Sequence, residues 1–167
     1  MIDKPIFLIG MMGSGKTSLA RAFSRELSIP LLDTDQAIEK EVGLTIAEIF
    51  SRHGEAFFRA KEQELIVSLT AEPKIVACGG GLPCYHGLMQ MLLDKGVVIY
   101  LEALVKTLFE RINTGNERPL LSDFDNFNQR FMERNGVYQL AHYRLDANQS
   151  EQQVLVACLK LLSTNPS

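Results

Sequence analysis

Short, uniformly apolar runs alternate along this chain with longer stretches in which apolar residues recur every three or four positions. IFLIG at 6–10 reads as a buried strand, and LLD at 31–33, IVACG at 75–79, VVIYL at 97–101 and YRLD at 143–146 read as further strands. Leu19, Ala22, Phe23 and Leu27 share one face of a helix that follows the first strand. More helices are expected over 35–71, broken at Gly43 and Gly54, and over 86–93, 104–112, 124–135 and 150–162. Strands that are apolar throughout, each followed by a helix, predict a parallel sheet covered on both faces. Ligands of such sheets gather beyond the carboxyl ends of the strands. Gly10–Thr17, Asp33–Asp35, Gly79–Gly81 and the residues after Leu101 should therefore line one crevice.

The first of these segments, GMMGSGKT at 10–17, fits G-x-x-x-x-G-K-[ST] in full, with a strand before it and a helix after it. Its glycines let backbone N–H groups close around phosphate oxygens, and the helix N-terminus adds positive potential. Gly13, Ser14, Gly15 and Ser18 belong to this ATP cradle. Lys16 would neutralise the β- and γ-phosphates, and the Thr17 hydroxyl would ligate Mg²⁺. An accidental glycine turn would not carry both the strand and the helix. The chain has no N-K-x-D guanine-reading signature and no long switch segment, which favours a small-molecule kinase over a GTPase.

The other crevice segments suit a second substrate, although each has a plainer explanation. Asp33 and Asp35 could serve the metal shell and an attacking hydroxyl, or Asp35 could only cap the next helix. Arg59 could bind an anion, oriented by Glu62 one turn on, or the two could form an ordinary surface pair. Gly79, Gly80 and Gly81 could admit a ligand to the backbone or serve only a tight turn. Arg118, in NTGNERPLLSD at 113–123, could close over the transferring phosphoryl group or be a solvated loop residue. Arg134, before Asn135-Gly136, looks on local grounds like a cation complementing a helix C-terminus.

Composition narrows the setting. A length of 167 residues with 46% hydrophobic and 22% charged content suits one domain, 1–167, with a substantial core. A net charge of −3 leaves no basic footprint for nucleic acid. The apolar runs are too short to span a bilayer, and the N-terminus lacks a signal-peptide pattern, so a cytoplasmic protein is expected. Cys78, Cys84 and Cys158 have no metal-ligand spacing and read as buried free thiols, and His53, His86 and His142 show no ligand spacing either.

Taken together, GMMGSGKT, LLDTD, GEAFFRAKE, CGGG, RPLL and the arginine before Tyr138 resemble the shikimate kinase family over nearly the whole chain. The resemblance implies a three-layer α/β/α P-loop kinase fold. That fold has a five-stranded parallel sheet in order 2-3-1-4-5, a helical substrate-binding region at about 33–62 and a lid at about 112–124. It implies MgATP-dependent phosphorylation of the shikimate 3-hydroxyl, on the route to chorismate and the aromatic amino acids. By the same resemblance Asp35 meets the ring hydroxyls, and Arg59 and Arg134 clamp the carboxylate with the help of backbone at Gly80. Lys16 and Arg118 hold the transferring phosphate, Thr17 and Asp33 organise Mg²⁺, and Arg111 lies against adenine. A monomer is expected. The family pattern R-x-P-L-Y appears here as RNGVY at 134–138, so Gly136 should loosen the carboxylate clamp and raise KM. A gluconate kinase is the competing enzyme, and a nucleotide-binding regulator without chemistry the competing non-enzyme.

Overall fold

The structure, a computed structural model, describes residues 2–113 and 121–164. Five parallel strands form one sheet: β1 (Ile6–Ile9), β2 (Leu31–Asp33), β3 (Ile75–Ala77), β4 (Val97–Glu102) and β5 (Tyr143–Asp146), in the order β2-β3-β1-β4-β5. Ile6, Phe7, Leu8 and Ile9 are fully buried, which requires cover on both faces of the central strand. That cover comes from α1 (Lys16–Leu27), α4 (Leu88–Lys95), α5 (Val105–Ile112), α6 (Leu121–Tyr138) and α7 (Glu151–Thr164). The expected sheet order and fold class are the observed ones.

Two helices stand beside this core. α2 (Thr34–Val42) ends at Gly43, whose φ of 74° turns the chain. α3 (Ile46–Ser68) opens with a reciprocal capping box between Thr45 and Glu48 and bends at Gly54, where φ is 81° and ψ 170°. Ile38, Ile49 and Phe58 form a small core of their own between α2 and α3. These helices occupy the stretch for which a substrate-binding region is expected, and both glycine breaks fall where the sequence puts them.

Four boundaries near the site differ from expectation. β1 stops at Ile9 and β3 at Ala77, so Gly10, Cys78 and Gly79 already belong to the loops. α4 begins at Leu88 because His86 and Gly87 hold φ values of 37° and 74°. α6 does not stop at 135 but runs to Tyr138, through Asn135-Gly136. The Tyr100 hydroxyl bonds Asn135 Oδ1 at 3.0 Å, and Tyr138 is fully buried, so tertiary packing overrides a local stop signal. The inferred lid falls mostly outside the described residues, and Arg118 lies outside them altogether.

Candidate active site

The loop between β1 and α1 carries the first part of the site. Gly15, at φ 86°, leads directly into α1, so Lys16 and Thr17 begin the helix. Lys16 Nζ donates to the carbonyls of Gly10 and Met11, each at 2.9 Å, and to Ser14 Oγ at 3.4 Å. Burial pushes its pKa down to about 8, against the pull of Cys78, Asp35 and Asp33.

Asp33 joins this loop to β2. Its Oδ2 accepts a hydrogen bond of 2.9 Å from the Thr17 hydroxyl. Its Oδ1 accepts from the backbone N–H groups of Asp35 (3.1 Å) and Gln36 (3.2 Å). The cap of α2 is therefore Asp33, not Asp35. That leaves the Asp35 carboxylate for other work, and burial, then the nearby Asp33, raises its pKa.

Two of the three glycines after β3, Gly79 and Gly81, have separate steric reasons to lack side chains. A Cβ on Gly79 would sit 2.5 Å from Asp35 Oδ1 and 3.0 Å from Glu62 Oε1, and one on Gly81 would collide with the Arg59 guanidinium. Gly80 lies close to Gly10 and Met12, and its carbonyl accepts a 2.5 Å bond from the Tyr138 hydroxyl. The turn is thus walled by an acid on one side and an arginine on the other. The buried Thr34 fixes it to β2, accepting the Gly79 N–H at 2.8 Å.

Arg59 and Glu62 are not a surface pair. Arg59 is 7% exposed and Glu62 fully buried, with Nη1 donating to Oε2 at 2.6 Å. Glu55 adds bonds from Arg59 Nε (3.1 Å) and Nη2 (3.0 Å). Burial lifts the Glu62 pKa to about 7, against the pull of Arg59. Its Oε1 is buried without a hydrogen-bond partner among the described residues. Arg134 reaches the same turn from α6: its Nη1 would lie 3.7 Å from a Cβ on Gly80. Unlike Arg59, it forms no ion pair with a carboxylate among the described residues.

Two cavities flank the loop. One of about 430 Å³ is lined by Lys16, Thr17, Asp33, Asp35, Gly79 and Gly80, which the sequence assigns to one crevice. A second, of about 190 Å³, lies against Gly13, Ser18, Arg111, Gln149, Glu151 and Val154, with Arg111 Nη1 donating to the Gly13 carbonyl at 3.4 Å. The phosphate loop, Asp35 and the glycine turn thus line one cavity, and Arg59 and Arg134 stand against that turn.

The shikimate kinase family model matches residues 12–163. The chain belongs to the shikimate kinase family. It is accordingly an ATP-dependent phosphotransferase by descent. A shikimate kinase of Bacillus anthracis is 36% identical over 155 residues, covering 91% of this chain and 94% of the relative. The solved structure of shikimate kinase from Acinetobacter baumannii in complex with shikimate superposes with a TM-score of 0.87 at 29% identity, covering 97% of this chain and 94% of that one. A gluconokinase from Sinorhizobium meliloti, at 16% identity and a TM-score of 0.61, shares the fold alone.

In this shikimate kinase family member, further residues join those the sequence singles out around the cleft. Glu55 stands four residues before Arg59, and only the folded α3, which restarts after the break at Gly54, brings the two together. Thr34 stands between two aspartates, and a hydroxyl at a strand end is a fair signal for the loop anchor it proves to be. Gln149 and Glu151 carried no motif. Among the thiols, Cys78 and Cys158 are buried as expected, whereas Cys84 is half-buried against α6, its Sγ 4.0 Å from the Arg134 carbonyl. His142 is structural, its Nδ1 accepting the Val98 N–H at 3.0 Å. Among the described residues no cluster of three metal-ligating side chains occurs, and no helix is long and apolar enough to cross a membrane.

Proposed function

We propose that this chain transfers the γ-phosphoryl group of ATP to the 3-hydroxyl of shikimate, giving shikimate 3-phosphate and ADP. One observation carries the reading. A carboxylate and an arginine anchored by two glutamates stand on opposite sides of a glycine turn beside a phosphate cradle. Such a site presents an acceptor to an alcohol and cations to a carboxylate within the span of one small molecule. Family membership and the likeness to a shikimate complex support the choice of acid.

The residues divide the work by charge. The loop N–H groups and Lys16 hold the β- and γ-phosphates, with Gly13, Ser14, Gly15 and Ser18 shaping the cradle. Arg111, beside the smaller cavity, lies against the adenine ring. Arg59 and Arg134 take the substrate carboxylate, and their charge is what separates an acid from a neutral sugar. Asp35 faces the attacking hydroxyl. The oxygen forms a bond to Pγ as the bond from Pγ to the ADP oxygen breaks, and the hydroxyl proton passes to Asp35 or to solvent. The raised pKa of Asp35 makes it a better proton acceptor than an ordinary aspartate. Because phosphoryl transfer has a loose transition state, aiming the oxygen contributes as much as taking its proton. Arg118, on the inferred lid, completes the charge around the transferring group and shuts out water.

The Thr17 hydroxyl and the Asp33 carboxylate, 2.9 Å apart, are hard oxygen donors of the kind Mg²⁺ prefers, and they would hold it. When bound, Mg²⁺ would neutralise the β- and γ-phosphate oxygens.

An ADP-release assay with shikimate and with gluconate, followed by phosphorus NMR of the product, tests the reading. Shikimate-dependent turnover with phosphate on the 3-oxygen is expected. Turnover of gluconate instead, or nucleotide binding without turnover of either acid, would overturn it.

A further inference from the structure

The last turn of α6 carries Arg134 and Tyr138 on a backbone that includes Gly136, which adds freedom rather than removing it. Something other than local propensity must hold Arg134 in place. Two contacts single out one residue. Arg134 Nη1 lies 4.0 Å from the Met11 sulfur, and the Tyr138 hydroxyl lies 3.9 Å from the same atom. Met11 is 1% exposed, and its carbonyl accepts the Lys16 ammonium at 2.9 Å. This one residue of the phosphate loop therefore touches the phosphate lysine with its backbone and the arginine of α6 with its side chain.

A thioether suits that place for a chemical reason. It is polarisable and weakly accepting, so it can accept from a guanidinium edge while packing against the phenol, whose one proton goes to the Gly80 carbonyl. It carries no charge, so it leaves the positive charge of Arg134 intact for a ligand. A carboxylate there would neutralise the arginine, as Glu62 and Glu55 partly do for Arg59. Leucine would fill the same volume but offer no acceptor.

We infer that Met11 is a positioning residue for the acid substrate: its sulfur seats Arg134 and Tyr138 from within the phosphate loop, in place of backbone rigidity at 136. This rests on the reading that Arg134 binds the substrate carboxylate. Through Met11 the nucleotide cradle and the carboxylate clamp share a residue, and because only the clamp meets its side chain, the clamp should be more sensitive to that side chain than the chemistry is.

The test compares wild type, Met11→Leu, Met11→Gln, Arg134→Ala and the Met11→Leu/Arg134→Ala double variant, each checked for folding by thermal unfolding. Shikimate and its methyl ester are the substrates. Met11→Leu should raise KM for shikimate about fivefold, within reach of one lost sulfur contact. It should leave kcat and the KM for ATP within about twofold and narrow the preference for the acid over the ester. Met11→Gln, which restores an acceptor at similar length, should recover most of that preference. On the Arg134→Ala background Met11→Leu should have no further effect on KM. Unchanged KM in Met11→Leu, or an equal loss with the ester or without Arg134, would overturn the inference. A wild-type protein that did not phosphorylate shikimate would instead sink the functional reading on which it rests.

Discussion

Glu62 Oε2 accepts a 2.6 Å hydrogen bond from Arg59 in the protein interior, while its other oxygen, Oε1, has no partner among the described residues. The folded pKa of Glu62, about 7, lies above the ordinary value of 4.5, chiefly through burial. The folded state therefore holds this proton more tightly than the unfolded chain does. The stability this contributes is complete below about pH 4.5 and is lost as pH rises through 7. Glu62→Gln should remove that dependence. Denaturant unfolding at pH values between about 5 and 8 should show wild type losing ~1–3 kcal/mol more than the variant. Parallel pH profiles would exclude this account of Glu62.

Lys16 titrates in the opposite sense. Burial lowers its pKa to about 8 from 10.5, and a phosphate beside it should raise it again. Binding of MgADP should therefore be accompanied by proton uptake above about pH 8, approaching one proton near pH 9 and close to none near pH 7. Affinity should fall as pH rises through that window. Calorimetric titrations in buffers of different ionisation heat measure the uptake, and heats independent of buffer at alkaline pH would contradict it.

Gly81 faces a guanidinium that cannot easily give way, because Glu62 and Glu55 both anchor it. Gly81→Ala should displace Arg59 and raise KM for shikimate by about tenfold or more, with a stability loss of ~1–3 kcal/mol. The KM for ATP should change little. A loss shared equally by both substrates would mean that the turn acts on the whole cleft rather than on Arg59.

Asp35→Asn keeps the shape of the side chain and removes its charge. If Asp35 takes the proton, kcat should fall by about 10²-fold or more. If it only aims the oxygen, a loss nearer tenfold is expected. Activity close to wild type would remove Asp35 from either role. Steady-state rates at saturating ATP and shikimate distinguish the three outcomes.

Gly136 sits inside α6, with open space around the position a Cβ would take. Its φ is not among the positive values, so alanine fits the backbone. Gly136→Ala should add ~0.5–1 kcal/mol of stability by restricting the unfolded chain, raising Tm by about 1–4 °C. If glycine also loosens the carboxylate clamp, KM for shikimate should fall in the same variant. Thermal unfolding and kinetics together separate the two effects, and an unchanged KM would leave the clamp to its tertiary contacts.

Several site residues were legible because their chemistry is local. Gly10–Thr17 announces itself by spacing, and Asp33 and Asp35 by their place after a strand. Their division of labour was not legible. A capping aspartate and a free one look alike in sequence, and only the hydrogen bonds of Asp33 to Thr17, Asp35 and Gln36 tell them apart. Arg59 and Glu62 could be paired from their separation of three, yet an exposed pair and a buried one have the same spacing. Asn135-Gly136 reads locally as a helix end, yet α6 runs through it to Tyr138.

The sequence by itself determined the parallel α/β architecture, the phosphate loop and the breaks at Gly43 and Gly54. These follow from hydrophobic period, turn chemistry and allowed backbone angles over a few neighbouring residues. The tertiary structure decided which charges lose water and which residue seats which. Glu62 near neutrality, Arg59 walled by Gly81, and Met11 between Lys16 and Arg134 all depend on segments far apart in the chain. Desolvation and close contact are properties of the assembled neighbourhood, and no local pattern encodes them.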